Sequence, residues 1–381
     1  MYTNPNLCTK SRNLPLLIAI TFFAALAFAV HASAQKLITI DAPGAGTGSG
    51  QGTYAYFAYP GGPVIGSFVD AENVLHGFLR SPDGNFTTFD APGAGTNPGQ
   101  GTQVYGINPA GQTAGYFSDA GGVYHSFLRD AGGAITVLDA SIAGNGPGQG
   151  TSATNLNPRG EISGNVVDSS GVMHGFVRTP DGKITTFDAP DAGKGAGQGT
   201  EPAWVTAMNP AGAIAGWYVD DSFVSHAFLR TPDGKVTDFD PPGATPFPHQ
   251  GTYGTSINQA GVVSGSYPDA NGTYHGFMRT KDGDLIVFNA SDAGPDFGQG
   301  TYSQSNNASN AIPGFYLDVN NVYHGFVRSH GGTITEFDVS GAGTGAFQGT
   351  EAETIDASGR TVTGFYIDAT GVIHGFQLTL N

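Results

Sequence analysis

Short apolar runs alternate with turn-forming residues along the chain from residue 36 onwards. In one unit the runs 105–107, 112–117, 123–129 and 134–139 are separated by Asn-Pro-Ala-Gly, Asp-Ala-Gly-Gly and Asp-Ala-Gly-Gly. Runs of this length, bounded by Gly, Pro, Asn and Asp, are typical of β-strands joined by tight turns. The pattern therefore predicts four-stranded antiparallel meanders, and it shows no helical period.

The same unit recurs along the chain. Gln-Gly-Thr occurs with its Gln at positions 51, 100, 149, 198, 250, 299 and 348, so the spacing is 49 residues except for one spacing of 52. A fixed period in this range indicates a repeat architecture. Isolated four-stranded sheets have two open edges and little core, whereas a radial arrangement buries both faces of each sheet. We therefore predict an all-β fold, a seven-bladed β-propeller of four-stranded antiparallel blades.

Each unit also repeats one Asp, one His and one Phe at fixed offsets. The aspartates are Asp70, Asp119, Asp168, Asp220, Asp269, Asp318 and Asp368. The histidines are His76, His125, His174, His226, His275, His324 and His374. The phenylalanines are Phe78, Phe127, Phe176, Phe228, Phe277, Phe326 and Phe376, and we expect them to fill the core between sheets.

The repeated Asp and His pairs could in principle bind metals or exchange protons. An architectural role is favoured, because a single active site needs one copy of a catalytic group rather than one in every blade. We expect each Asp to cap its own turn and each His to be a buried, hydrogen-bonded strut. The repeated Gln residues would satisfy loop carbonyls near the axis, or alternatively form a polar ring that binds a ligand.

The two ends of the repeat region complement each other. Residues 36–41 match the fourth strand of a unit, while the last unit stops after its third strand. We therefore predict that the N-terminal strand pairs into the last blade and closes the ring, which removes an edge that would invite aggregation.

The first 34 residues are typical of a secretory signal peptide. Lys10 and Arg12 precede an apolar run over 14–30, and Ala32-Ser33-Ala34 provides a small-residue cleavage site. The alternative, a membrane anchor, is disfavoured because the run is short for a span and Pro15 interrupts its start. We expect residues 35–381 to form one secreted domain, extracellular or periplasmic, with no membrane span.

Charge and cysteine content narrow the function classes. The formal net charge is −16, and an acidic surface repels nucleic-acid backbones. The single cysteine, Cys8, lies in the predicted leader, so no disulfide is expected in the mature chain. We expect no cofactor. The acidic turns leave calcium open, but no Asp-x-Asp-x-Asp-Gly loop assigns a site, and the glycine-rich connectors lack the Lys and helix of a phosphate loop.

The repeat loses its symmetry at one place. The 52-residue spacing indicates three extra residues, which we place at about 201–203, in the first strand of one blade. Trp204 follows, and the only other tryptophan, Trp217, is in the next strand. We predict a ligand site at this channel mouth, with Trp204 as a stacking platform and the acidic side chains as polar contacts. The candidate residues are Glu201, Trp204, Glu351, Glu353, Tyr253 and Tyr302, with Tyr54 at an equivalent position.

The alternative for this region is that Trp204 fills core and the three glutamates are solvated.

Two function classes remain open. The first is a non-enzymatic binding or scaffold protein that contacts glycans or an extracellular protein through its loops or channel mouth. The second is a hydrolase, lyase or lactonase with an asymmetric, metal-dependent site at the mouth, for which only Glu201, Glu351 and Glu353 offer support.

The third strand of each unit carries the motif His-Gly-Phe, or His226-Ala227-Phe228, followed in most units by an apolar residue and Arg and then by a turn. This motif resembles the extracellular HAF repeats, and the resemblance covers essentially the whole chain after the leader. It implies an exported bacterial repeat protein and no particular activity. The last unit departs from the pattern, since Gln377 and Leu378 replace the apolar-Arg pair.

Deletion of residues 35–43 is expected to lower the melting temperature and to promote aggregation, because it would leave the last blade with an unpaired strand edge. Thermal melts and size-exclusion chromatography of the deletion variant test this. Unchanged melting together with a monomeric elution profile would count against ring closure.

Overall fold

The computed structural model describes residues 36–59, 61–245 and 247–380. All regular structure within these residues is β, in 28 strands that form antiparallel groups of four. The first strands of the groups are β2 (Gly52–Ala58), β6 (Gly101–Ile107), β10 (Gly150–Leu156), β14 (Gly199–Pro202), β18 (Tyr253–Ile257), β22 (Gly300–Ser303) and β26 (Gly349–Ile355). The second strands are β3 (Val64–Val69), β7 (Thr113–Ser118), β11 (Ile162–Val167), β15 (Ile214–Val219), β19 (Val263–Pro268), β23 (Ile312–Leu317) and β27 (Thr361–Ile367).

The third strands are β4 (Leu75–Arg80), β8 (Tyr124–Arg129), β12 (Met173–Arg178), β16 (Ser225–Arg230), β20 (Tyr274–Arg279), β24 (Tyr323–Arg328) and β28 (Ile373–Thr379). The fourth strands are β5 (Phe86–Phe89), β9 (Ile135–Leu138), β13 (Ile184–Phe187), β17 (Val236–Phe239), β21 (Leu285–Phe288), β25 (Ile334–Phe337) and, for the last group, β1 (Lys36–Ile40). The predicted leader, 1–34, lies outside the described residues.

The last group is completed by the N-terminal strand, as the sequence predicts. β1 pairs antiparallel with β28, with Lys36 opposite Thr379 and Ile40 opposite Gly375. Each group packs against the next, and β27 of the last group packs against β2 of the first. The groups therefore form a closed ring, and the strand that closes it comes from the far end of the chain.

The core lies between neighbouring groups. The seven repeated phenylalanines of the third strands are each at most 1% exposed, so their predicted place in the core is confirmed. Phe176, for example, packs with Ala114, Leu138 and Val166, which come from two neighbouring groups. Full burial of an aromatic or branched aliphatic side chain contributes about 1.5–3 kcal/mol, so this layer is a main source of stability.

Each residue of Gln-Gly-Thr makes a different structural contact at the junction between neighbouring groups. Gly52 has a φ of 123°, and a Cβ there would overlap the carbonyl oxygen of Ile373, with which it pairs in the preceding group. Only glycine tolerates both the positive φ and this approach of two backbones. The hydroxyl of Thr53 accepts a hydrogen bond from the amide of Ala42 at 2.9 Å, which fixes the connector to the new strand.

The Gln of the motif holds the connector that precedes it. Oε1 of Gln51 accepts a hydrogen bond from the Gly48 amide at 2.9 Å, and Nε2 donates to the Ala71 carbonyl at 3.0 Å. Equivalent bonds recur, for example around Gln149 and Gln348. These contacts confirm that the glutamines satisfy loop backbone groups, which is the architectural alternative of the sequence prediction.

A belt of asparagines links successive groups at the turn between first and second strands. Oδ1 of Asn258 accepts hydrogen bonds from the amides of Ala260 and Val262, while Nδ2 donates to the carbonyl of Asn307 in the next group at 2.9 Å. Asn209 donates in the same way to Asn258, and Asn307 donates to Asp356. The belt stops at Asp356, whose carboxylate has no donor. The turn signal is visible in the sequence, but the bond to the next group is not.

Replacing Asn258 tests this belt. Asn258→Ala removes the turn acceptor and the donor to Asn307, and it is expected to lower the free energy of unfolding by about 1–3 kcal/mol. Asn258→Asp keeps the acceptor for Ala260 and Val262 and removes only the donor, so a smaller loss is expected. Urea unfolding measures both variants. No loss for Asn258→Asp would show that the bond to Asn307 contributes nothing, and equal losses for the two variants would show that the turn acceptor contributes nothing.

Candidate functional site

Alternate residues of the first strands face the axis of the ring. In β2, Thr53 and Ala55 are buried while Tyr54 and Tyr56 are partly exposed. This alternation follows from the strand period of two and recurs around the ring. Residues from all seven first strands or the segments that continue them line one of two cavities found on the axis.

The three extra residues of the 52-residue unit lie later than the sequence predicts. β14 stays in register with β15 from Gly199 opposite Val219 to Pro202 opposite Gly216, which matches Ala55 opposite Gly66 in the first group. The regular pattern resumes where Ala207 accepts a hydrogen bond from the Ala215 amide. Residues 203–206 thus replace the single axial residue found in other units. The placement at 201–203 is wrong, since the strand pairing keeps Glu201 at a regular position.

The inserted loop, residues 203–206, is anchored to the groups on both sides. The carbonyl of Ala203 accepts hydrogen bonds from Thr154 Oγ1 at 3.2 Å and Asn155 Nδ2 at 2.8 Å. On the other side, the Thr206 and Ser256 hydroxyls lie 2.8 Å apart. Val205, at the centre of the loop, has a φ of 48°, a conformation that costs a β-branched residue energy. These bonds hold the loop across the channel.

Trp204 projects from this loop towards a wall of aromatic rings. Its ring centroid lies 6.0 Å from that of Tyr105, which stacks on Tyr56 at 5.1 Å. Tyr56 is followed by Tyr54 at 5.9 Å, and Tyr54 meets Phe365 edge-on at 5.0 Å. Trp204 is 52% exposed, so it does not fill core. The loop brings an accessible indole against a wall contributed by other groups.

These rings enclose a cavity of about 330 Å³. Its polar lining includes Thr206, Thr255, Gln304, Ser305 and Glu353, and Trp217 completes its aromatic lining. No Lys, Arg or His is among the described residues that line it. A mainly apolar cavity of this size with a few convergent polar groups is the usual form of a small-ligand site.

The axial carboxyl groups lie in an environment that disfavours their charged form. Burial raises the pKa of Glu353 to about 7. Burial, and then the charge of Glu353, raise the pKa of Glu351 to about 8. Burial raises the pKa of Glu201 to about 7, although a hydrogen bond from Trp204 opposes the shift. Within the described residues no Lys, Arg or His forms a salt bridge with any of the three.

The structure separates the residues that the sequence groups as one site. Trp204 and Glu353 line the same cavity. Glu351 lies two residues before Glu353 on the axial face of β26, and Glu201 lies on β14 in another group. Tyr302 stacks on Tyr274 and Phe315 and donates a hydrogen bond to Gly298, while Tyr253 packs edge-on against Trp217. None of these last four lines the cavity.

Tyr56, Tyr105 and Phe365 line the cavity but are absent from the sequence prediction. Their signal is present in the repeat: Tyr56 and Tyr105 stand five residues after the Gln of the motif, where Thr154 and Thr255 are found in other units. A prediction that followed this position around the ring would have identified the two tyrosines. The approach of Trp204 to Tyr105 depends on the path of the inserted loop, which no spacing encodes.

A second cavity of about 270 Å³ lies beyond the inserted loop, and Val205 and Thr206 border both cavities. Its lining is rich in amides, including Asn209, Asn258 and Asn307. These amides are already engaged in the asparagine belt. The polar lining of the second cavity therefore includes side chains that already form structural hydrogen bonds in the asparagine belt.

The repeated His and Asp residues form a similar bridge in each group, with Asn289 in place of the fourth-strand aspartate beside His275. Nδ1 of His226 lies 2.7 Å from Asp240, at the end of the fourth strand, and Nε2 lies 3.7 Å from Asp220. Oδ1 of Asp220 accepts hydrogen bonds from the amides of Ser222 and Val224, which caps the turn. The seven His side chains are 19–26% exposed, so they are half-buried rather than buried.

This bridge couples protonation to folding. The hydrogen bond to Asp240 raises the pKa of His226, and the bond to Asp338 raises the pKa of His324. The amide of Val123 lowers the pKa of Asp119. No three His, Cys, Asp or Glu side chains in the described ranges lie close enough to hold a metal ion.

No protein-family model and no curated protein matches the chain. Among solved structures it is similar to the BP39L lectin from Burkholderia pseudomallei, with a TM-score of 0.53 and 11% identity over 83% of this chain and 92% of the lectin. It also resembles AofleA from Arthrobotrys oligospora (TM-score 0.46, 12% identity, 80% and 90% covered) and TolB from Acinetobacter baumannii (0.45, 12%, 84% and 63%). The likeness to the lectin shows a β-propeller fold and carries no function.

The part of the chain that the structure describes contains no helix long and apolar enough to cross a membrane.

The pKa shifts predict that stability falls as pH rises from about 5.5 to 8.5. His226 and His324 stabilise the fold while protonated, so their contribution is present below the unfolded pKa of about 6.5 and is lost as pH rises through the raised folded values. Glu351 and Glu353 act in the same direction, because ionisation in the channel opposes folding once pH exceeds their unfolded pKa.

Melting temperatures across this range, with NMR titration of the imidazoles, measure the effect. Glu351→Gln should reduce the slope, since it removes one group that ionises unfavourably. A melting temperature that does not change with pH, with His226 and His324 titrating at or below about 6.5, would contradict the assignment.

Proposed function

We propose that this chain is an exported seven-bladed β-propeller of the HAF-repeat type that binds a small ligand, or the end of a glycan, in its axial cavity. The observation that carries the proposal is the position of Trp204, which the inserted loop holds half-exposed opposite Tyr105 and beside Glu353. An accessible aromatic platform beside a few polar groups suits recognition of a ring-shaped or amphipathic ligand. Export is supported by the leader pattern of residues 1–34.

The local strain supports a binding role. Val205 adopts a left-handed backbone conformation, and Trp204 leaves about half of its surface exposed. Neither feature stabilises the fold, whereas strain and exposed aromatic surface are common at ligand sites. The other units close the same position with one residue, so the loop is dispensable for the architecture.

The hydrolase, lyase or lactonase class has one supporting observation, the carboxyl groups of Glu351 and Glu353 with pKa values of about 8 and 7. Groups that titrate near neutral pH suit general acid–base chemistry. Binding is favoured because Glu351 does not line the cavity that holds Glu353 and Trp204.

A glycan-array screen of the purified protein, run with and without calcium, tests the proposal. Trp204→Ala is expected to weaken binding to any ligand found by about tenfold or more, since the platform is lost. Phe297→Ala is the matched control, because Phe297 is 74% exposed on a connector outside the cavity. A ligand that responds to Phe297→Ala and not to Trp204→Ala would place binding at the rim and contradict the axial site.

A further inference from the structure

The axial cavity combines three properties. Several aromatic rings line it, Glu353 contributes a carboxyl group to its lining, and no described basic residue is among that lining. Such a cavity can stabilise a positive charge through two interactions. Tyr56 and Tyr105 stack on neighbouring rings, whereas Trp204 is 52% exposed, so its indole attracts a cation through its negative quadrupole and the carboxylate supplies the counter-charge.

We propose that the ligand of the axial cavity is an organic ammonium ion, whose cationic head lies against Trp204 and pairs with Glu353. This inference rests on the proposed binding function and specifies its ligand class. The cavity of about 330 Å³ admits a small ammonium compound or the amino-bearing end of a larger one.

Two other ligand classes fit the cavity less well. A neutral ligand would gain no attraction from the Glu353 charge and would leave that carboxyl group without an ionic partner. A metal ion requires several oxygen or nitrogen ligands around one point, and the described residues bring no three His, Cys, Asp or Glu side chains together. The lining is aromatic, which suits a diffuse organic cation rather than a hard inorganic one.

The surroundings of the carboxyl pair indicate how pH acts on binding. Glu351 is faced by Tyr54, Tyr323 and Glu353, and Glu353 is faced by Tyr56. All of these described neighbours are neutral or acidic, so none of them supplies a positive charge to the pair and the bound cation would do so. Since the carboxyl groups lose their protons around neutral pH, affinity for a permanent cation should rise between pH 6 and 8.5.

The test compares choline with its neutral carbon isostere, 3,3-dimethyl-1-butanol, by isothermal titration calorimetry on the purified protein. The two probes share shape and differ in charge, so the comparison isolates the cation. We expect choline to bind at least about tenfold more tightly than the isostere, and more tightly at pH 8.5 than at pH 6.

Three variants assign the effect to the cavity. Glu353→Gln keeps the size of the side chain and removes its charge, so it should abolish the preference for choline. Trp204→Ala should weaken choline binding, while Glu72→Gln, at an exposed turn, should change nothing. Melting curves check that each variant is folded.

The results separate this inference from the proposed function. Equal binding of both probes, no binding of choline at millimolar concentration, or an unchanged preference in Glu353→Gln would overturn the ammonium assignment. If neutral glycans then bind in a Trp204-dependent way, the axial binding function stands without it. If Trp204→Ala alters the binding of no ligand, the axial function itself fails.

Discussion

The pairing of β1 with β28 is the constraint on which the rest of the structure depends. It joins residues at opposite ends of the described chain, with Leu37 opposite Leu378 and Thr39 opposite Phe376. Ile40 of β1 is fully buried and packs with Ala55 and Phe78 of the first group. Without this strand the last group would present an open edge, and the interface between last and first groups would lose part of its core. The axial cavity exists only because the ring is closed.

The contacts that repeat from group to group make the ring rigid, and the inserted loop, which breaks the repeat, forms the candidate site in the axial cavity. Gln-Gly-Thr fixes each connector, the asparagine belt ties five successive turns, and the histidine bridges join the second and fourth strands of each group. Because contacts of these kinds recur along the ring, one unit can carry a strained loop without loss of the whole. The loop at 203–206 is this strained segment. It places Trp204 opposite Tyr105 and lies between the two axial cavities.

The strands, the pairing of the two chain ends and the buried phenylalanines could be predicted from the sequence, because each follows from positions that recur in the 49-residue repeat. Trp204 and Glu353 could be identified as unusual, because both break that period. The sequence analysis placed the insertion too early. The spacing of the repeat gives the number of extra residues but not their position, which depends on strand pairing. Pro202 remains paired with Gly216, so the extra residues follow it. The sequence analysis also missed the wall of Tyr56, Tyr105 and Phe365, because contact across the axis depends on how the ring curves and not on neighbours in the chain.

The most direct test of ring closure is native-state hydrogen exchange of the β1 amides that face β28. Closure predicts that these amides exchange only with global unfolding, at the same slow rate as the amides of β28 itself. Exchange of the β1 amides at the rate of an unstructured segment, while β28 stays protected, would contradict closure by the N-terminal strand and remove the basis for the axial cavity.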